Sequence, residues 1–507
     1  MDETTRVPKR ILSTLLTSIA AGVVPRSGAP YIAIGRTDEI AALLSDLDNV
    51  SEGAATMRFI IGKYGSGKSF LLQLIRGTAL ERGFVCADAD LSPERRICGA
   101  KGTGVATYKE LMRNLSSKTS PDGGALNQII ARWLSALQSE IAGRGFLPDT
   151  EDFRRALTKE IFSVTRDMEG EIGGFDFAAV LNAYYRAYTD DDEEKKSACI
   201  RWLRGEYTTK TEARAALGVG SIIDDDSWYD YIKLWAVFFR RIGYKGFVVM
   251  IDECVNLYKI TNRVSRENNY EKILAMFNDT LQGKAEGLAL LLGGTPQFLE
   301  DTRRGLFSYE ALKSRLAEGQ FNGVGAGNIT AYKNMLGPVI RLRRLSDDEM
   351  FALIARIARL HGQNYNWTPR LTTDDMTAFL RLCLARAGAD AMITPREIIR
   401  DFCTVLNILC QNPEATFSGV VGQGVVTLAH APGAGEDEDA FAAEDEKNAL
   451  DAAAAAQTAA PVVQSKPQEN PNAAKPNAGK PAANAATNPE IPYKSDDFEF
   501  DLADIDI

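Results

Sequence analysis

At 507 residues the chain is long enough for about two or three domains, and its 45% hydrophobic content supports a sizeable core. The net charge of −10 is concentrated in Ala431–Ile507, which holds 16 acidic residues and five lysines, so the remainder is close to neutral and no general affinity for nucleic acid follows. Cys86, Cys98, Cys199, Cys254, Cys383, Cys403 and Cys410 lack C-x-x-C spacing and there are only two histidines, which argues against zinc sites and histidine-based triads and for reduced thiols in a cytoplasmic protein.

The first feature in chain order is the run from Arg6 to Ala29. Its basic start and the stretch ILSTLLTSIAAGVV superficially resemble a secretory signal. Leu12, Leu15, Leu16, Ile19 and Val23 nevertheless recur at helical spacing, Ser and Thr occupy the other face, and no A-x-A site follows. An amphipathic packing helix is expected. No run approaches the roughly 18 apolar residues of a membrane span, so no membrane association is expected. Tyr31 to Arg36 reads as a short strand or turn, and Thr37 to Leu47 as a helix that Thr37 caps.

Arg58 to Leu72, RFIIGKYGSGKSFLL, carries the strongest chemical signal. Gly62, Gly67, Lys68 and Ser69 fill G-x-x-x-x-G-K-[ST], with a buried strand at Phe59–Ile61 before it and a helix start from Phe70 after it. Backbone N–H groups of Gly62, Lys63, Tyr64, Gly65, Ser66, Gly67 and Phe70 can close around phosphates, and a helix N-terminus adds its partial positive charge there. Lys68 is expected to reach the β- and γ-phosphates of ATP, and Ser69 to hold Mg²⁺.

Phe84 to Asp88 reads as a second buried strand. Residues 93 to 227 then read as a helical insertion, with helical spacing in Leu126–Ile141, Asp152–Met168, Phe177–Tyr188 and Ser197–Arg204. A helix at Trp228–Ile242 leads to Gly246–Ile251 (GFVVMI), an apolar strand ending in Asp252 and Glu253, which is a Walker B pattern. Acids at the C-terminal end of a parallel strand stand where such sheets bind ligands. Asp252 is expected to bind Mg²⁺ and Glu253 to polarise the attacking water. Asn268–Gln282 follows as an amphipathic helix with Tyr270, Ile273, Leu274, Phe277 and Leu281 on one face, then Leu288–Leu292 as a strand. Thr295 beyond it reads either as a γ-phosphate sensor or as part of a tight Gly-Gly-Thr-Pro turn. Val339–Leu342 supplies a further strand, and helices reach from Asp347 to about Leu409.

From Ala431 the sequence turns to Ala, Pro, Asn, Lys and Gly without periodicity and is expected to be disordered. It ends with Phe498, Phe500, Leu502, Ile505 and Ile507 among acids. That segment reads either as a solubilising tail or as a peptide that docks a basic, apolar groove on a partner.

Val255–Ile260 (VNLYKI), Asn268–Ala285 (NNYEKILAMFNDTLQGKA) and above all Gly293–Leu316 (GGTPQFLEDTRRGLFSYEALKSRL) closely resemble P-loop ATP-binding proteins found with BREX phage-exclusion systems and tellurite-resistance-type stress clusters. The resemblance covers roughly residues 5 to 415. More distantly, the order of parts is similar to AAA+ origin-recognition and loader ATPases. That resemblance implies that Gly35 and Arg36 lie by the adenine and that Arg315 is an arginine finger reaching a neighbouring subunit. It also implies that Arg396 is a lid arginine sensing the γ-phosphate. From the residues alone, Arg315 equally fits a pair with an acid of its own subunit and Arg396 a helix-surface position. About twenty residues separate the last lid helix from the tail, too few for the winged-helix domain that usually follows in loaders.

The expected architecture is α/β. Residues 1–92 hold the N-terminal helix and the first part of an AAA+-like P-loop core with a parallel sheet. The helical insertion is 93–227, the second part of the core 228–345, a helical lid 346–417 and the disordered tail 418–507. The expected function is Mg²⁺-dependent ATP binding and hydrolysis by a homo-oligomer, serving assembly or regulation of a phage-defence or stress complex with a helicase or nuclease partner. The alternatives are a slowly hydrolysing ATP-bound switch or scaffold, and a DNA-loading ATPase.

Overall fold

Five strands, β1 (Thr56–Ile61), β2 (Val85–Asp90), β3 (Phe247–Asp252), β4 (Leu288–Gly294) and β5 (Val339–Arg341), form one sheet in the order β2-β3-β4-β1-β5, with every neighbouring pair parallel. The structure, a computed structural model, describes residues 7–148, 150–165, 173–317, 334–386 and 394–422. The expected tail, including Phe498 to Ile507, and the last residues of the helix expected to reach Met168 lie outside these.

Both faces of the sheet are covered, which is why its strands read as unbroken apolar runs. Ile60, Met250 and Leu291 point to the face packed by α2 (Thr37–Ser51) and α3 (Lys68–Glu81). Phe59, Val249 and Leu290 point to the face packed by α10 (Trp228–Arg241) and α12 (Arg263–Leu281). The register pairs Ile61 with Gly294, Ile251 with Leu292 and Asp90 with Asp252, so the C-terminal strand ends finish nearly level. Thr37 is the first residue of α2 rather than its side-chain cap, and Leu281 is 68% exposed rather than on the buried face of α12.

Most of the described residues of 93–227 are helical. The segment comprises α4 (Thr103–Arg113), α5 (Leu126–Gly143), α6 (Glu151–Thr165), α7 (Gly174–Thr189), α8 (Glu193–Leu203) and α9 (Lys210–Leu217). Its core is continuous with that of the sheet. Trp133 meets Phe238 edge to face at 5.0 Å between ring centroids, and Phe177 meets Trp235 at 4.8 Å. Trp235 Nε1 donates to the Tyr108 hydroxyl at 2.9 Å, which donates to Leu203 O at 2.7 Å. Helix α4 escaped sequence reading because its N-terminus is capped from far along the chain. The Asp225 carboxylate accepts from the N–H groups of Gly102, Gly104 and Val105 at 2.8, 2.8 and 2.9 Å.

After β3 come α11 (Val255–Tyr258) and α12; after β4, α13 (Pro296–Glu300) and α14 (Glu310–Leu316). A separate core joins α15 (Asp347–Tyr365), α16 (Thr373–Arg386), α17 (Pro395–Gln411) and α18 (Phe417–Gly422). The first helix, α1 (Lys9–Ala20), belongs to this core: its apolar stripe Leu12, Leu15, Leu16 and Ile19 is buried with Ile357, Phe402 and Leu406, and it packs on α15 and α17. Helix α18 runs across position 418, where the tail was expected to begin.

Candidate functional site

The turn between β1 and α3 is the glycine-rich loop. Gly67, at the N-cap of α3, has φ +90°, a conformation glycine adopts without Cβ strain. Lys68 Nζ folds back over the loop, donating to Gly62 O at 2.8 Å and Lys63 O at 3.3 Å. The Ser66 hydroxyl is buried without a hydrogen-bond partner.

Beside the loop stand the acids of β3. Ser69 Oγ donates to Asp252 Oδ2 at 2.6 Å, and Glu253 N donates to Asp252 Oδ1 at 2.8 Å. Asp252 approaches Gly293 of β4 so closely that a side chain there would collide with its carboxylate. Glu253 sits at φ +57°, a left-handed conformation unfavourable for a glutamate. Its side chain opens into the site. Desolvation and the Asp252 charge push its carboxyl above the usual range against the pull of Lys68. Asp90, at the end of β2, is raised by desolvation and then by Asp252.

The glycine-rich loop and Glu253 border a cavity of about 230 Å³. One side is built from Gly65, Ser66, Gly67, Lys68, Ser69 and Phe70, at the N-terminus of α3. Thr394, Pro395 and Arg396, at the N-terminus of α17, line it too, so two helix N-termini bring partial positive charge to one space. Apart from Arg36, Tyr64 and Glu253 the rest is apolar, including Ile19, Val23, Val24, Ile34, Leu353 and Ile399. The first region, rich in helix N-terminal and loop N–H groups, suits an anion, and the second an apolar or flat group.

Of the residues singled out from sequence, Arg36, Tyr64, Gly65, Ser66, Gly67, Lys68, Ser69, Phe70, Glu253 and Arg396 line this cavity. Asp252 is joined to it through Ser69. Arg36 is 4% exposed and its guanidinium is occupied with backbone carbonyls, Ser66 O at 2.8 Å and Arg343 O at 2.5 Å. Gly35, Gly62, Lys63, Thr295 and Arg315 are not among the lining residues. Thr295 is the N-cap of α13, its hydroxyl oxygen accepting from Phe298 N at 3.3 Å. Arg315 is exposed, donating to Asn278 Oδ1 at 3.2 Å and Ala311 O at 2.7 Å. Sequence reading missed the apolar wall supplied by the end of α1. Helical periodicity marked Ile19 and Val23 as apolar, but it could not say that they face a ligand space. Asp90 was missed as well; only the register with Asp252 gives it a place.

The model of the BREX system ATP-binding protein BrxC/D family matches residues 7–424. The chain belongs to that family. It is thus an ATP-binding protein of the BREX phage-exclusion type, and the match takes in every element from α1 to α18. A comparison with curated proteins finds no match. Among the described residues of this BREX protein, no helix is long and apolar enough to cross a membrane. No disulfide links its cysteines, all seven of which are free thiols.

Proposed function

We propose that this BREX protein is a Mg²⁺-dependent ATPase of the AAA+ type, whose cycle serves assembly or regulation of a cytoplasmic defence complex with a helicase or nuclease partner. The observation that carries this reading is the Ser69–Asp252 contact with Glu253 beside it at the cavity. Ser69 Oγ and Asp252 offer hard oxygens for Mg²⁺. Among the described residues there is no cluster of three or more His, Cys, Asp or Glu fit to hold a metal, which suits an ion that takes its remaining ligands from phosphates and water. Bound there, Mg²⁺ supplies charge neutralisation to the phosphates.

Lys68 swings from the loop carbonyls onto the phosphates, the N–H groups of the loop and of α3 bind their oxygens, and Arg396 adds a cation from the lid side. Glu253 orients the attacking water and accepts its proton. Thr295, at the end of β4, senses that water through its O–H, which its capping bond leaves unused. Arg315 serves a neighbouring subunit, being absent from the lining of its own cavity.

That last position also favours a second reading, in which the isolated chain holds ATP as a slow switch or scaffold until a neighbour supplies the missing cation. Steady-state ATP turnover over a wide protein-concentration range separates the two, with Lys68→Ala and Glu253→Gln as controls. Turnover per subunit that climbs with concentration and disappears in both variants supports the oligomeric ATPase. Negligible turnover throughout, with ATP still bound, supports the switch. Stimulation by duplex DNA would support a DNA-loading role.

A further inference from the structure

Arg36 stands one residue before α2 and is 4% exposed, an unusual place for a guanidinium. A single nitrogen, Nη2, bonds two carbonyls far apart in sequence: Ser66 O in the glycine-rich loop at 2.8 Å and Arg343 O at 2.5 Å. Arg343 lies in the segment that leaves β5 for α15, so it belongs to the hinge between the sheet and the lid helices. The other terminal nitrogen, Nη1, lies 3.5 Å from Glu39 Oε1, which balances the buried charge.

The connection continues into the lid. The Arg343 guanidinium donates to both carboxylate oxygens of Glu349, at 2.6 Å on Oε2. The same Oε2 accepts from Ser346 N at 2.8 Å in the capping box that begins α15. Gly35, at φ +71°, lies against Glu349 so closely that a Cβ would come within 2.5 Å of Oε1. An unbroken set of polar contacts therefore runs from the loop carbonyl through Arg36, the hinge and Glu349 to the N-terminus of α15. Helix α15 shares its core with α17, which carries Arg396 at the cavity.

We infer that Arg36 is a positioning residue which ties the seating of the glycine-rich loop to the seating of the lid hinge, with Glu349 completing the tie on the lid side. This inference rests on the reading of the cavity as an ATP site. Closure of the loop on phosphate is felt at the hinge because both carbonyls hang from one buried nitrogen. Releasing either bond leaves a buried donor or acceptor unmatched. Arg36 thereby governs how occupancy of the cavity is transmitted rather than which base is read.

The test is amide hydrogen exchange on the full chain, with and without a non-hydrolysable ATP analogue and Mg²⁺. In the wild type, the analogue should slow exchange in two segments: the loop with the start of α3, and residues 342–352. In Arg36→Met, read at saturating analogue, the first protection should persist while the second is lost. Glu349→Gln, which keeps the shape of this partly buried side chain and removes its charge, should give the same split, and it decides the matter if Arg36→Met fails to fold. Hinge protection equal to wild type in these variants would overturn the inference. So would collapse of analogue affinity together with both protections in folded protein, which would make Arg36 a binding residue. Absence of loop protection in the wild type would instead remove the ATP reading beneath it.

Discussion

Ser69 on α3 and Asp252 at the end of β3 are joined by a 2.6 Å hydrogen bond, although 183 residues separate them in sequence. Helix α3 is thereby pinned to the end of the strand that Glu253 follows, and in the proposed reading these two oxygens hold Mg²⁺. Asp252→Asn keeps the shape and removes the charge. The expected result is that ATP affinity without Mg²⁺ stays equal or rises, because a negative charge beside the triphosphate is gone. The gain in affinity that Mg²⁺ confers on the wild type should shrink by about ten- to a hundredfold, the worth of one interaction with a charged group. Titration of ATP with and without Mg²⁺ checks it; an unchanged gain would place the ion elsewhere.

Glu253, the base of the proposed reaction, is held in a strained conformation. A left-handed glutamate costs roughly 1 kcal/mol relative to a residue that tolerates the conformation, and asparagine is such a residue. Glu253→Gln and Glu253→Asn both remove the carboxylate, so both should bind ATP and lose turnover by about 10²-fold or more. The asparagine variant should also be the more stable of the two, by about 0.5–1 kcal/mol in denaturant midpoint experiments. Equal stability would mean that the surrounding backbone, not the side chain, determines the cost.

The loop and the strand-end acids were legible because their chemistry is local: fixed spacing around Gly62–Ser69 and one apolar run ending in Asp252–Glu253. The strands were legible for the same reason. Partnerships over long distance were not. Nothing near Thr103 announces that Asp225 caps its helix, and nothing in the stripe Leu12–Ile19 says that it packs on α15 and α17 rather than on the sheet. Arg36 was singled out by the resemblance and lines the cavity, but its carbonyl partners at Ser66 and Arg343 come from the fold and could not be read.

His361, buried on α15, should make stability depend on pH. Trp367 Nε1 donates to its Nδ1 at 2.9 Å, which leaves Nε2 to donate to Asn407 Oδ1 at 3.0 Å, so the folded protein holds one neutral tautomer. Burial lowers its pKa, against the pull of Asn407. With the folded value below the unfolded value of about 6.5, the unfolded chain binds the extra proton first. The contribution is therefore full above about pH 6.5 and lost as pH falls toward the folded value. Melting temperature should drop from pH 7.5 to 5.5 in the wild type and drop less in His361→Gln. Glu349 acts in a lower window. Its bonds with Arg343 hold its pKa at about 2, so its contribution is present above the ordinary glutamate value and lost as pH falls toward about 2.

Arg315 offers the sharpest test of assembly. It lies on α14, exposed, bonded to Asn278 and its own helix, and outside the cavity of its own chain. As the proposed arginine finger, it would act across an interface with a neighbouring subunit. Arg315→Ala subunits keep an intact cavity and lack the finger; Lys68→Ala subunits keep the finger and lack a working cavity. Each variant alone should show turnover reduced by about 10³-fold or more, because the charge on the transferring phosphate is then incompletely neutralised or its binding site is lost. Mixed in equal amounts, they should recover a measurable fraction of wild-type turnover, because some interfaces then pair a sound cavity with a sound arginine. Recovery that grows with total protein concentration would tie hydrolysis to subunit contact. Wild-type turnover by Arg315→Ala alone would leave this arginine with its bonds to Asn278 and Ala311 and no part in the chemistry.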